Sequence, residues 1–155
     1  QVAATFAGFA AVIVGFGPST AWEKRKAIGL IHFLQISLGV VLLALIPGAL
    51  MTSQATADHA WRISNGALGI YHLFLITWVS TKTKLREDGH LGEVGSPLVA
   101  GLAVIGVSSS ITNLAAAAGF LESYGLLVFF FGLLWLLGMS LVNFVDIVLG
   151  DIRTS

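Results

Sequence analysis

Apolar residues in this chain run in long blocks, and polar residues gather between them. Five blocks come close to the roughly 20 apolar residues that a membrane-spanning helix needs. The first covers 1–17 and stops at Gly17-Pro18-Ser19. It is slightly short, and residues before Gln1 are expected to complete it. The second covers 27–51, with Pro47 near its far end, where a kinked or frayed turn is expected. The third covers 61–81. The fourth covers 97–119, with Ser96 as N-cap and Pro97 at the first helical position. The fifth covers 123–149. Only Gly119-Phe120-Leu121-Glu122-Ser123 separates the last two blocks, which predicts an antiparallel hairpin. The expected fold is all-α: one transmembrane helical domain over 1–155 with five spans. The alternative is four spans plus a re-entrant or surface helix at 1–17.

Composition points the same way. Of 155 residues, 56% are hydrophobic and 10% are charged, and mean hydropathy is +0.91. A soluble domain carries roughly 25% charged residues, so this chain is expected to be solvated by lipid. Eight basic and eight acidic residues cancel. A nucleic-acid partner, which requires a basic footprint, is therefore not expected. With no cysteine, thiolate metal sites, disulfides and cysteine nucleophiles are excluded. No basic residue precedes the first apolar run, so no secretory signal pattern is evident.

Basic residues orient the blocks. Lys24, Arg25 and Lys26 follow the first block. Lys82, Lys84 and Arg86 follow the third, and Arg153 follows the fifth. With five alternating spans all of these share one side, and only Arg62 falls on the other. The N-terminus is then outside and the C-terminus cytoplasmic. Trp22, Trp61 and Trp78 lie near the expected interfaces. The loop 82–95 mixes both charge signs around the turn Asp88-Gly89 and reads as a solvated loop.

The chemistry of interest lies in polar residues inside the apolar blocks, which recur every three or four positions and so share helix faces. The stripes are His32, Gln35 and Gly39 in the second block, and Arg62, Asn65, Gly69 and His72 in the third. The fourth block carries a belt of Ser108, Ser109, Ser110, Thr112 and Asn113. The fifth carries Gly132, Leu136, Ser140, Asn143 and Asp146. Ala4, Gly8, Ala11 and Gly15 in the first block read as a packing face. Small and hydroxyl residues serve close helix packing in lipid, and serine can bond its own backbone. Ionisable groups are harder to accommodate there, and a charge at mid-bilayer costs about 2.5–3.5 kcal/mol on insertion scales.

By helix rise, the candidates sort into three depths. His32, Gln35, Asn143 and Asp146 fall in the cytoplasmic half. His72, Ser109 and Asn113 fall in the middle, and Arg62, Asn65 and Glu122 at the outer edge. Together they could outline a polar path.

Three functions fit this pattern. One is an oligomeric channel or transporter for ions or small solutes, with His72 central and the pore between subunits. No carbonyl-lined filter loop or pair of interrupted helices supports it further. Another is a subunit holding haem or a chlorophyll-type pigment through His72 or His32. The two histidines lie at about 15 Å and 8 Å from the cytoplasmic end, too unequal to share one haem. The last is an accessory subunit with glycine faces for contacts. No enzyme is expected. Gly106-Val107-Ser108-Ser109-Ser110 lacks the nucleophile-elbow spacing, and His90 with Glu93 offers too few ligands for a metal.

The run Val2-Ala3-Ala4-Thr5-Phe6-Ala7-Gly8-Phe9-Ala10-Ala11-Val12-Ile13-Val14-Gly15-Phe16 resembles the start of small bacterial membrane proteins of unassigned function. Trp61-Arg62-Ile63-Ser64 is similar to the same group. The resemblance covers about the first half of the chain. It implies a bacterial cytoplasmic membrane and carries no activity or site residue with it.

Overall fold

A computed structural model describes residues 24–53, 55–84 and 96–152. Side chains are described over 33–78 except 54, and over 101–144 except 102 and 143. The first expected segment at 1–17, Trp22, His90, Glu93 and Arg153 lie outside the described residues. The described residues form four α-helices and no strand: α1 (Lys24–Thr52), α2 (Ala57–Lys84), α3 (Ser96–Ala117) and α4 (Gly125–Ile152). These match the second to fifth sequence blocks with ends shifted by a few residues. Helix α1 runs through Pro47 to Thr52, close to the expected end at residue 51. Helix α3 includes Ser96, whereas the sequence pattern puts that serine just outside as the cap.

Local chemistry explains the ends. Thr56 caps α2: its hydroxyl accepts from the His59 N–H at 3.4 Å and pairs with His59 Nδ1 at 2.9 Å. Helix α3 ends in a Schellman motif. The Phe120 N–H donates to Ala115 O and the Gly119 N–H to Ala116 O, both at 3.1 Å. Gly119 sits at φ +95°, a left-handed conformation that glycine adopts without steric cost. A 3-10 turn, Glu122–Tyr124, then leads into α4. That turn explains why α4 starts at Gly125 and not at Ser123.

The pairing directions follow from side-chain contacts. Along α2, Arg62 reaches Ala117, Gly69 meets Leu114 and Ser110, and Ile76 lies beside Gly106. As α2 advances α3 recedes, so the two are antiparallel. Helices α1 and α4 are also antiparallel, through Ser37 with Ser140 and Phe33 with Phe144. Helices α2 and α4 run in the same direction, as Trp61 with Phe129 and Leu68 with Gly132 show. The result is an up-down bundle in which α2 and α4 meet across the centre. The starts of α1 and α3 and the ends of α2 and α4 therefore share one end of the bundle.

The core is built from Ile36, Val40 and Leu43 of α1, Leu68 and Leu75 of α2, and Phe129, Leu133 and Leu136 of α4. Around it, large apolar side chains point outward from all four helices. Examples are Leu45, Ile70, Ile111 (62% exposed) and Phe131 (70% exposed). Among the described residues, two stretches are long and apolar enough to cross a membrane: Phe33–Thr52 and Glu122–Val142. A shorter apolar stretch covers Ala103–Ala117. Over the described side chains α2 does not meet this criterion, and its first half carries Asp58, His59, Arg62, Ser64 and Asn65. The sequence pattern leads to an expectation of five spans, and two of the described helices meet the criterion by their own length and composition.

Candidate functional site

Among the described residues, six polar ones are buried in the bundle: Ser64, Asn65 and His72 on α2, Ser110 and Asn113 on α3, and Ser140 on α4. Their environments differ with depth.

At the α3–α4 turn every side chain of the cluster finds a partner. Arg62 Nε donates to Ala117 O at 3.0 Å, filling a carbonyl left open at the helix end. Its guanidinium lies 3.7 Å from Glu122 Oε1, and both side chains are substantially exposed. Asn65 Nδ2 donates to Trp61 O at 2.8 Å and to Gly125 O at 2.9 Å, tying α2 to the start of α4. Asn65 Oδ1 alone has no partner. Gly125 permits this approach, since a Cβ there would stand 3.3 Å from Trp61 Cβ. The depression between Asp58, Trp61, Arg62 and Glu122 has room for little more than a water molecule.

In the middle of the bundle His72 is 2% exposed, and neither ring nitrogen completes a hydrogen bond. The backbone carbonyls of Leu68 and Gly132 are the polar groups beside the ring. Asn113, 1% exposed, donates its Nδ2 to Ser109 O at 2.8 Å and leaves Oδ1 unpaired. Gly132 brings these groups together. A methyl group there would stand 2.7 Å from Leu68 Cδ2 and 2.8 Å from Asn113 Nδ2. Ser110 Oγ donates to Gly69 O at 3.0 Å and holds α3 against α2.

Toward the other end the interior groups are paired again. Ser37 and Ser140 share a 2.7 Å hydroxyl contact between α1 and α4. Tyr71 OH donates to Gln35 O at 2.7 Å, across the place where Gly39 makes room for the tyrosine ring.

The sequence-derived candidates divide accordingly. His72 and Asn113 both border Gly132, with Ser109 half-buried beside Asn113. Gln35 is half-buried, and its backbone carbonyl is what receives Tyr71. His32, Asn143 and Asp146 lie on α1 and α4, with side chains outside the described residues. The fourth-block belt does not hold as one face. Ser108 and Thr112 are exposed, and the Thr112 hydroxyl returns to Ser108 O at 2.8 Å. Residues four apart share a face, and the belt spans all sides of the helix. The stripe Gly132, Leu136 and Ser140 is buried as expected, and so are Asn65, Gly69 and His72.

Three contributors carry no mark in the sequence pattern: Ser64, Ser37 and Tyr71. Ser64 is buried and bonds Ala60 O at 2.6 Å. The tyrosine could have been found, because a hydroxyl in an apolar block needs a partner.

A macrocycle does not fit at His72. The ring is 2% exposed, with the backbones of Leu68 and Gly132 beside it, which leaves no space for a haem or pigment. Among the described residues no group of three or more potential metal ligands occurs. Comparison of the chain with protein-family models, with curated proteins and with solved structures returned no match.

Proposed function

We propose that this chain is an integral protein of a bacterial cytoplasmic membrane that passes ions or small solutes, as a homo-oligomer or within a larger membrane complex. In this reading it has five spans, with the segment 1–17 as the first, its N-terminus outside and its C-terminus in the cytoplasm. The observation that carries the reading is the apolar exterior of the bundle, set against polar residues buried among its apolar core. Leucine, isoleucine and phenylalanine side chains face outward, and serine, asparagine and histidine are buried. Water would penalise that exterior, since soluble monomers rarely expose large contiguous apolar patches. Lipid accepts it, and small and polar residues then hold the helices together from inside. The antiparallel order also brings Lys24, Arg25 and Lys26 at the start of α1 and Lys82 and Lys84 at the end of α2 toward one end, in keeping with the positive-inside bias.

Within that frame, a buried histidine with no hydrogen-bond partner is a functional residue before it is a structural one. The test is reconstitution into liposomes, with flux measured for the wild type and for His72→Ala. Flux in the wild type that is lost in the variant is the expected result. Flux absent from both removes the passage reading. Resistance of the protein to alkaline extraction from membranes tests the membrane assignment separately.

An alternative reading, an accessory subunit without passage of its own, is favoured by the tight packing around Gly132. In that reading a pigment would have to bind at His32. An absorption band in the visible or near infrared from the purified protein is its expected signature.

A further inference from the structure

The interior that supports a passage role is packed too closely for a hydrated ion. At the depth of His72, Leu68 and Leu136 are almost fully buried, and Gly132 has no room even for a methyl group. A metal cation stripped of water requires about six oxygen ligands. Here the groups without partners are the two ring nitrogens of His72 and the Oδ1 of Asn113.

We propose that His72 is an intramembrane proton-binding site and that the species passed is the proton. This deepens the passage reading and rests on it. A neutral imidazole offers one lone-pair nitrogen and one N–H. A proton arriving from one side adds to the lone pair, giving imidazolium. The other nitrogen then releases its proton to the opposite side, and the ring returns to neutral as the other tautomer. Rotation of the ring resets it. One proton enters, one leaves, and no other bond changes. The carbonyls of Leu68 and Gly132 are acceptors that stabilise the charged ring while it lasts.

Relay groups stand on both sides. Asn65, whose free Oδ1 can hold a proton-carrying water but does not itself pass a proton, is seven residues away on α2, about 10 Å by helix rise. The Ser37–Ser140 hydroxyl pair lies toward the other end. Short chains of water entering transiently would bridge these gaps.

No fixed charge competes at this depth among the described residues. The buried side chains around the ring from α1, α3 and α4 are neutral. Tyr71 turns its hydroxyl to Gln35 O on α1. Arg62 and Glu122 pair at the end of the bundle, about 15 Å away along α2.

The experiment uses the full chain in liposomes loaded with a pH-sensitive dye, driven by a potassium diffusion potential, with sodium uptake followed in parallel. Proton uptake in the wild type, a fall to the protein-free rate in His72→Gln, and no sodium uptake are expected. Proton uptake unchanged in His72→Gln, or sodium passing as fast as protons, overturns the proton assignment and leaves the passage reading standing. Absence of any flux in the wild type removes both. A further measurement does not depend on the folding of that variant. Replacing His32, His59 and His90 by glutamine leaves His72 as the sole imidazole. Its infrared ring bands in membranes are expected to change with pH, and bands that stay those of the neutral ring at every pH overturn the proposal.

Discussion

Two levels of the same bundle treat polar groups in opposite ways. At the α3–α4 turn, Arg62, Asn65 and Glu122 close a network that caps α3 and ties α2 to α4. At mid-bundle, His72 and Asn113 are as buried as Asn65, yet three of their polar atoms have no partner, against one, Oδ1 of Asn65, at the turn. A buried group left unpaired costs about 1–3 kcal/mol, so packing alone gives no reason to retain His72. Hydrogen bonds at the turn hold helices together. Burial without partners at mid-bundle keeps a polar group available. Stability measurements on variants at the two levels can break or sharpen that contrast.

The largest effect is expected where the middle level is tightest. Gly132→Ala puts a methyl group against Leu68 and Asn113. Overpacking of this kind costs about 1–3 kcal/mol, to be read from reversible unfolding in mixed detergent. A loss below the error of that measurement would mean that the layer is looser than its contacts indicate. Next comes Asn65→Ala, which removes two interior hydrogen bonds and is expected to destabilise by about 1 kcal/mol.

His72→Leu carries the opposite sign. It replaces an unpaired polar ring by an apolar side chain, and is expected to leave stability unchanged or to raise it by up to about 1 kcal/mol while abolishing flux. Destabilisation by His72→Leu as large as that of Asn65→Ala would make the histidine structural and erase the contrast. The smallest effect belongs to Glu122→Gln. Its ion pair with Arg62 is exposed and 3.7 Å long, and pairs of this kind contribute about 0–1 kcal/mol. A larger loss would show that the turn depends on charge and not on the Arg62 bond to Ala117.

Much of the inward face is legible in the sequence. Asn65, Gly69 and His72 on α2, and Gly132, Leu136 and Ser140 on α4, are all buried as their spacing requires. Periodicity suffices there because each stripe is the main polar or small track on an otherwise apolar stretch. It does not suffice for the run 108–113, where polar residues surround the helix. The neighbours of α3 choose among them, burying Ser110 and Asn113 and leaving Ser108 and Thr112 outside. The pairing of Ser37 with Ser140 is equally illegible. It joins residues 103 positions apart, and nothing local links them.

By itself, the sequence determined that this is an all-helical chain with apolar stretches of membrane-spanning length, because block length and hydropathy are local properties. It also determined which helix faces carry polar groups, because the 3.6-residue turn is fixed by the backbone. Only the tertiary structure decided which of those groups are satisfied. Asn65 meets a carbonyl of α4, whereas the rings and amides at the level of His72 meet mostly apolar side chains and the bare backbone of Gly132. Hydrogen bonding between helices depends on how the faces are rotated and set in register, and no single helix contains that information.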